Sequence, residues 1–375
     1  MCRYEHIQYP VGQGGFHLCI IGNYAYVYDC GSYGKNVDWN NIFDDAKKQL
    51  AECEKIDIFI SHFHTDHYNK LADFIKYILK EIKTINVKIY TPQISPKEKV
   101  FLIVDYAMKE EDKDNIDSGD IEYDLSRYIK TVVFEDFNIK ENKEIKHIHL
   151  PHGGFDISIP KYMLFGRRRG QLPHGGFDIS IPYDVILRTY VTNISDEVIN
   201  KLFNTDDELK NKYEEILDAI KNKDTDKIEK FVRGYIEKSK ISLKSLSKNV
   251  HKNMLTLCCV KYPQYLCCCN KTNSWLHTGD AILQGKKLKD FIDRFYDLLP
   301  FVKFVQIPHH GSKDNHDKMF TIFLVGCNTL FCTVNKIPSK SRKIVKPHLE
   351  DISIYSCNHY NICKVSEDIF SRINY

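Results

Sequence analysis

Apolar and polar positions change rhythm along the chain. Between Phe16 and Tyr28 apolar and aromatic residues run almost unbroken, interrupted only at Gly22-Asn23, a two-residue turn signal. This predicts a hairpin of strands at 16–21 and 24–28, the second closed by Asp29-Cys30-Gly31-Ser32. A short helical or irregular piece is expected at 42–53. A β-branched run at 55–60 then predicts a strand leading into Ser61-His62-Phe63-His64-Thr65-Asp66-His67. Leu71, Phe74, Ile75, Ile78 and Leu79 recur at helical spacing, and 87–90 reads as a strand closed by Thr91-Pro92. Strands alternating with helices predict an α/β protein.

The rhythm differs over 100–248, which predicts an insertion or cap within one domain spanning 1–375. A solvated charge run occupies 109–114. Thr205 and Glu208 carry a capping-box spacing, followed by Tyr213, Ile216, Leu217 and Ile220 on one face. A second helix carries Ile228, Phe231, Val232, Tyr235 and Ile236. This helical pair, at 206–239, reads either as a protein-interaction surface or as a structural pair packed on the core. Beyond 250 strands resume: a hairpin at 254–260 and 265–269, a strand at 274–277 entering Thr278-Gly279-Asp280, a helix at 287–299, and a strand at 301–307 ending at Pro308-His309-His310-Gly311-Ser312. Further strands are predicted at 319–324, 329–334 and 348–355. The eleven residues 150–160 recur identically at 172–182 around a spacer holding Arg167-Arg168-Arg169. Two copies make no solenoid; a recent local duplication or a sequence-assembly artefact fits better, with one copy in the structural place and the other extruded as a loop.

Composition narrows the classes. A formal net charge of +3 does not by itself mark a nucleic-acid binder, although a local cationic groove stays open. No apolar run reaches the roughly 18 residues of a membrane span, and the first ten residues lack a signal-peptide core. The 13 cysteines are odd in number and include no C-x-x-C pair, which predicts reduced thiols in a cytoplasmic protein rather than a disulfide framework or zinc ribbon.

The sharpest signal is His62-x-His64-x-Asp66-His67. Two histidines two apart in an extended segment face one side and can clamp a metal. Asp66 and His67 follow where the chain turns and can face a second one. Imidazole and carboxylate suit zinc, manganese or iron. Asp280, exposed by a glycine-assisted turn after a strand, offers a carboxylate able to bridge two metals. Pro308 to Ser312 offers His309 or His310 at another strand end. All three segments follow predicted strands, the usual place for α/β active sites.

On Val11-Gly12-Gln13-Gly14, Tyr28-Asp29-Cys30-Gly31, Ser61 to His67, Thr278-Gly279-Asp280 and Pro308 to Ser312, the chain resembles the metallo-β-lactamase fold superfamily, nearest its ComEC/Rec2-like branch. The resemblance implies an αββα sandwich of two mixed β-sheets flanked by helices, with a partly helical insertion. It implies two divalent metals, zinc or else manganese or iron. His62 and His64 would bind the first, Asp66, His67 and His309 the second, and Asp280 would bridge. His251 would complete the first metal's set, with His152 and His174 as rivals. Asp29 would hold the ligand loop without touching metal, and His310, Ser312 and Lys313 are candidates to meet substrate. The implied activity is hydrolysis by a hydroxide held between the metals, with Asp66 also orienting it. Phosphodiesters, nucleic acid included, are the first substrate choice. The alternatives are a small ester, thioester or lactam, or a non-enzymatic binding or sensing role in a multi-protein system such as defence.

Overall fold

The predicted hairpin forms the middle of a larger sheet. In the computed structural model, β1 (Tyr4–Gln8), β2 (Gly14–Ile21) and β3 (Tyr24–Ser32) run antiparallel, and Gly22, at φ +62°, makes the turn between the last two. The structure describes residues 4–12, 14–34, 36–111, 125–133, 135–137, 139, 145–151, 155–158, 185–192, 207–247, 254–261, 274–296, 298–299, 302–306, 308–311, 315, 320, 329–333, 354–357 and 363–366. The second copy of the repeat, the three arginines and the predicted strand at 265–269 lie outside these residues. Within the first copy, Phe155–Ser158 forms a strand.

Parallel strands extend the hairpin: β4 (Lys55–Phe59), β5 (Asn86–Pro92) and β6 (Lys146–Leu150) follow β3 in order. The second sheet holds β7 (Phe155–Ser158), β8 (Val185–Thr192), β9 (Met254–Lys261), β10 (Ser274–His277), β11 (Val302–Gln306), β12 (Thr329–Thr333) and β13 (Ile354–Cys357). It too changes from antiparallel to parallel pairing, with β9 antiparallel and β11 parallel to β10. Strand β14 (Cys363–Ser366) crosses back to pair with β1 in the first sheet, so that each sheet has seven strands among the described residues. Both sheets are therefore mixed.

Burial along β2 and β3 is continuous because both sheet faces are covered. Alternate residues divide between the faces. Phe16 meets Phe43 of α1 (Trp39–Leu50) and Phe74 of α3 (Leu71–Glu81). Cys19, Ile21, Tyr24, Tyr26 and Tyr28 join Phe59 and Tyr90 in a core that also takes Leu187 and Val191 from β8. Outside the second sheet, α8 (Gly285–Phe295) buries Leu288, Phe291, Ile292 and Phe295 against Leu276, Val302 and Val305. The order is helix, sheet, sheet, helix, the expected α/β sandwich.

The chain divides into two compact units. The first comprises Met1–Pro92, Lys143–Val191 and Met254–Tyr375 and holds both sheets; the second comprises Gln93–Asn142 and Thr192–Asn253. The second unit contains α4 (Pro96–Glu111), α5 (Leu125–Tyr128), a π-helical turn at Ile129–Val133, α6 (Asp207–Lys221) and α7 (Thr225–Ser247). Helix α4 opens with a capping box: Ser95 N–H donates to Glu98 Oε2 (2.7 Å) and Glu98 N–H to Ser95 Oγ (3.3 Å). No helix among the described residues is long and apolar enough to cross a membrane.

Candidate metal centre

Strand β4 ends at Phe59, and the chain passes a bend at Phe63 into an extended His64, which precedes the single turn of α2 (Thr65–Tyr68). His62 and His64 come to one side, their ring centroids 4.6 Å apart, and the helical turn swings Asp66 and His67 back toward them. This packing depends on Gly31 at the end of β3, where a Cβ would lie 2.7 Å from Tyr68 N and 2.8 Å from the backbone of Asp66. From the second sheet, β10 ends in a turn with Gly279 at φ +54°, which presents Asp280. Strand β11 leads into α9 (Pro308–Gly311), where His309 adopts a left-handed φ of +50° and its N–H donates to Gly279 O at 3.0 Å.

Four imidazoles converge on one carboxylate. Asp280 Oδ2 lies 3.2 Å from His62 Nε2, 3.4 Å from His64 Nδ1 and 3.8 Å from His309 Nε2. Its other oxygen, Oδ1, lies 3.7 Å from His67 Nε2, which is 3.9 Å from Asp66 Oδ2. Ligand atoms of His62, His64 and Asp280 all fall within 4.8 Å of one another and could hold a metal ion. His62 and His67 are buried, whereas the side chains of His64 and His309 are 25% and 38% exposed, so the cluster opens to solvent on their side.

Asp29 braces the loop from behind. It also sits in the left-handed region, at φ +59°. Its Oδ1 accepts from Ser61 N–H (2.6 Å), and its Oδ2 accepts from Ser61 Oγ–H (2.8 Å) and His67 Nδ1–H (2.7 Å). Having spent its proton on Asp29, the Ser61 hydroxyl is left to accept from His62 Nδ1–H at 2.9 Å. His62 and His67 thereby each carry a proton on Nδ1 and turn Nε2 inward. His62 Nε2 and His64 Nδ1 then stand 2.7 Å apart, a separation that calls for a proton or a cation between them.

Electrostatics point the same way. Burial, then charge on His67, lowers the His62 pKa. Burial also opposes charge on His67, but Asp29, Asp66 and Asp280 outweigh it and raise its pKa to about 10. Burial would raise the Asp280 carboxyl; His309 and His62, with hydrogen bonds from His62 and His64, instead hold it well below the usual range. Three carboxylates thus gather around one ring and demand positive charge. Asp280 Oδ1, buried, accepts no hydrogen bond among the described residues. An unmet buried acceptor costs about 1–3 kcal/mol, more when charged. The donor set and this oxygen fit divalent cations.

His251, Ser312 and Lys313 fall outside the described residues, as do the rivals His152 and His174, and the side chain of His310 is not among those described. His277 is the last residue of β10, a strand position as expected. Sequence reasoning missed two residues. Ser61 stands beside the motif yet sets the His62 tautomer. Asn315 accepts from His309 Nδ1 at 2.8 Å and carries no recognisable spacing.

No family model matches the chain, and no curated protein matches it in sequence. Among solved structures, unliganded yeast PDE1 is similar over 95% of this chain and 98% of that one, at 9% identity and a TM-score of 0.43. Likeness of that degree decides neither fold nor activity.

Proposed function

We propose that the chain is a metal-dependent hydrolase whose metals are held by His62, His64, Asp66, His67, Asp280 and His309. The observation that carries this reading is the convergence of four ring nitrogens on the buried Asp280 carboxylate from strand ends of both sheets. His62, His64 and Asp280 Oδ2 would make one ligand group, and Asp66, His67 and Asp280 Oδ1, with His309, the other. His309 Nε2 lies 3.8 Å from Asp280 Oδ2. Divalent cations there would polarise the scissile group and make water acidic enough to attack near neutral pH. Zinc is the first choice for this donor set, with manganese or iron compatible.

The protein's own groups do the rest. Asp29 and Ser61 hold His62 and His67 in the tautomer that donates lone pairs inward. Asp66 orients the attacking water through Oδ2. The buried side, formed by His62 and His67, excludes bulk water, and the exposed edges of His64 and His309 mark where substrate arrives. The proposed bond class is the phosphodiester, nucleic acid included. It rests on the resemblance of Ser61 to His67, Thr278 to Asp280 and Pro308 to Ser312 to the ComEC/Rec2-like branch.

Metal content and hydrolysis of DNA, RNA and a chromogenic phosphodiester, for the wild type and His64→Ala, test the reading. The expected result is metal-dependent turnover in the wild type and a loss of at least about 100-fold in the variant, the scale of a lost transition-state contact. Equal activity in both would remove the mechanism. Turnover of an ester, thioester or lactam but not of phosphodiesters would keep the metal centre and replace the substrate.

A further inference from the structure

Asn315 is 6% exposed and sits where three parts of the candidate centre meet. Its Nδ2 donates to Asp280 O at 3.0 Å and approaches Ala281 O at 3.5 Å. Its backbone oxygen accepts from Leu283 N–H at 2.7 Å, and its Oδ1 lies 2.8 Å from His309 Nδ1. Amide oxygen and nitrogen are often interchangeable by a flip, and ring protons are assigned rather than seen. Here both ambiguities close. The two backbone carbonyls can only accept, so the amide NH2 must face them. The amide oxygen then faces His309. Because that oxygen cannot donate, His309 Nδ1 must carry a proton, which in the neutral ring leaves the lone pair on Nε2.

We propose that Asn315 is a positioning residue that fixes His309 in its Nδ1–H tautomer and aims Nε2 at Asp280. The proposal rests on the metal-centre reading for its consequence, not for its geometry. The brace sits at a strained point of the chain: His309, a non-glycine residue, adopts φ +50° while its N–H donates to Gly279 O. Asn315 ties ring and turn together, since the amide that orients His309 also holds the backbone of Asp280. His309 and Asp280 would therefore be set as a pair although 29 residues separate them in sequence.

Histidine-selective 15N labelling of the full chain, stripped with chelator, reads the tautomer directly from two-bond 1H–15N couplings, with the His309 signals identified by their absence in His309→Gln. In the wild type His309 is expected to show a protonated Nδ1 and a pyridine-like Nε2. In Asn315→Ala this pattern should give way to exchange between tautomers. Asn315→Asp keeps an acceptor toward the ring and should hold the Nδ1 proton, although it loses the donor to Asp280 O and Ala281 O. Metal titration should then show about a 10–100-fold loss of affinity at one of two sites in Asn315→Ala, the range typical for a group that orients a ligand. A wild-type His309 protonated on Nε2 and not on Nδ1, or an Asn315→Ala variant that keeps the Nδ1–H tautomer, overturns the proposal. The wild-type spectrum decides the tautomer even if the alanine variant does not fold. The expected tautomers in a wild type that takes up no metal would uphold Asn315 and overturn the metal-centre reading instead.

Discussion

At the scale of single residues, Asp29 shows how little freedom the ligand loop has. Its two oxygens face three donors, two on Ser61 and one on His67, and only a carboxylate accepts on both sides. Asp29→Asn, although isosteric and tolerant of φ +59°, must turn an NH2 toward a donor. It should lose about 1–3 kcal/mol of stability in urea unfolding, and metal affinity should fall about 10–100-fold. An unchanged variant would show that Asp29 does not orient the ring. The proposed metal ligands were legible in sequence because His62, His64, Asp66 and His67 crowd into six positions. Asn315 was not, because its role arises only when the chain brings it back to Asp280, 35 residues earlier. Ser61 lay in view, but a serine before a histidine has no chemistry until Asp29 takes its proton.

Elements were legible wherever periodicity was local. The hairpin β2–β3, strand β4, helix α3 and helix α8 all arise where the apolar pattern indicated them. Strands β1 and β14 were missed because their partners lie at opposite ends of the chain, Glu5 opposite Ser366. Helix α4 was hidden by the charge run that overlaps its end, although Ser95 and Glu98 spell its cap. Two glycines test whether the elements are tied to the site as described. Gly31→Ala would drive a methyl into the backbone of Asp66 and Tyr68, so metal uptake should fall at least about 10-fold, the low end for disturbed ligand support. Gly234→Ala, inside α7 with nothing within 4 Å of the added carbon, should stabilise by about 0.5–1 kcal/mol in thermal unfolding. Equal responses at the two positions would contradict this picture.

At the scale of the whole molecule, an aromatic and histidine layer joins the two sheets beneath the site. His6 and His17 from the first sheet meet Trp275 and His277 from the second, with ring centroids 4.9 Å apart for His6 and Trp275 and 4.3 Å for His17 and His277. All are buried. Burial lowers the His277 pKa to about 3 against the opposing influence of a hydrogen bond to the Gln306 side chain, and burial followed by His277 and His6 lowers that of His17. Because the folded values lie below the unfolded value of about 6.5, this stability is complete above pH 6.5 and is lost as pH falls toward 3. For His277 the loss is on the order of 5 kcal/mol at full protonation. Acid unfolding followed by tryptophan fluorescence should therefore set in below neutrality, and His277→Phe, which keeps the stack, should move its midpoint to lower pH. A midpoint that stays put would mean that the layer does not govern acid stability. Sequence alone could not show this layer, since its four residues belong to three strands of two sheets.

The metal itself decides the central claim most directly. Crystals grown with zinc or manganese and measured at the metal's absorption edge should show anomalous density between His62 Nε2, His64 Nδ1 and Asp280 Oδ2 at about 2.0–2.2 Å, with a second peak beside Asp66 and His67. A fully folded chain with no anomalous density at Asp280, and His62 and His64 still sharing a proton across 2.7 Å, would contradict it.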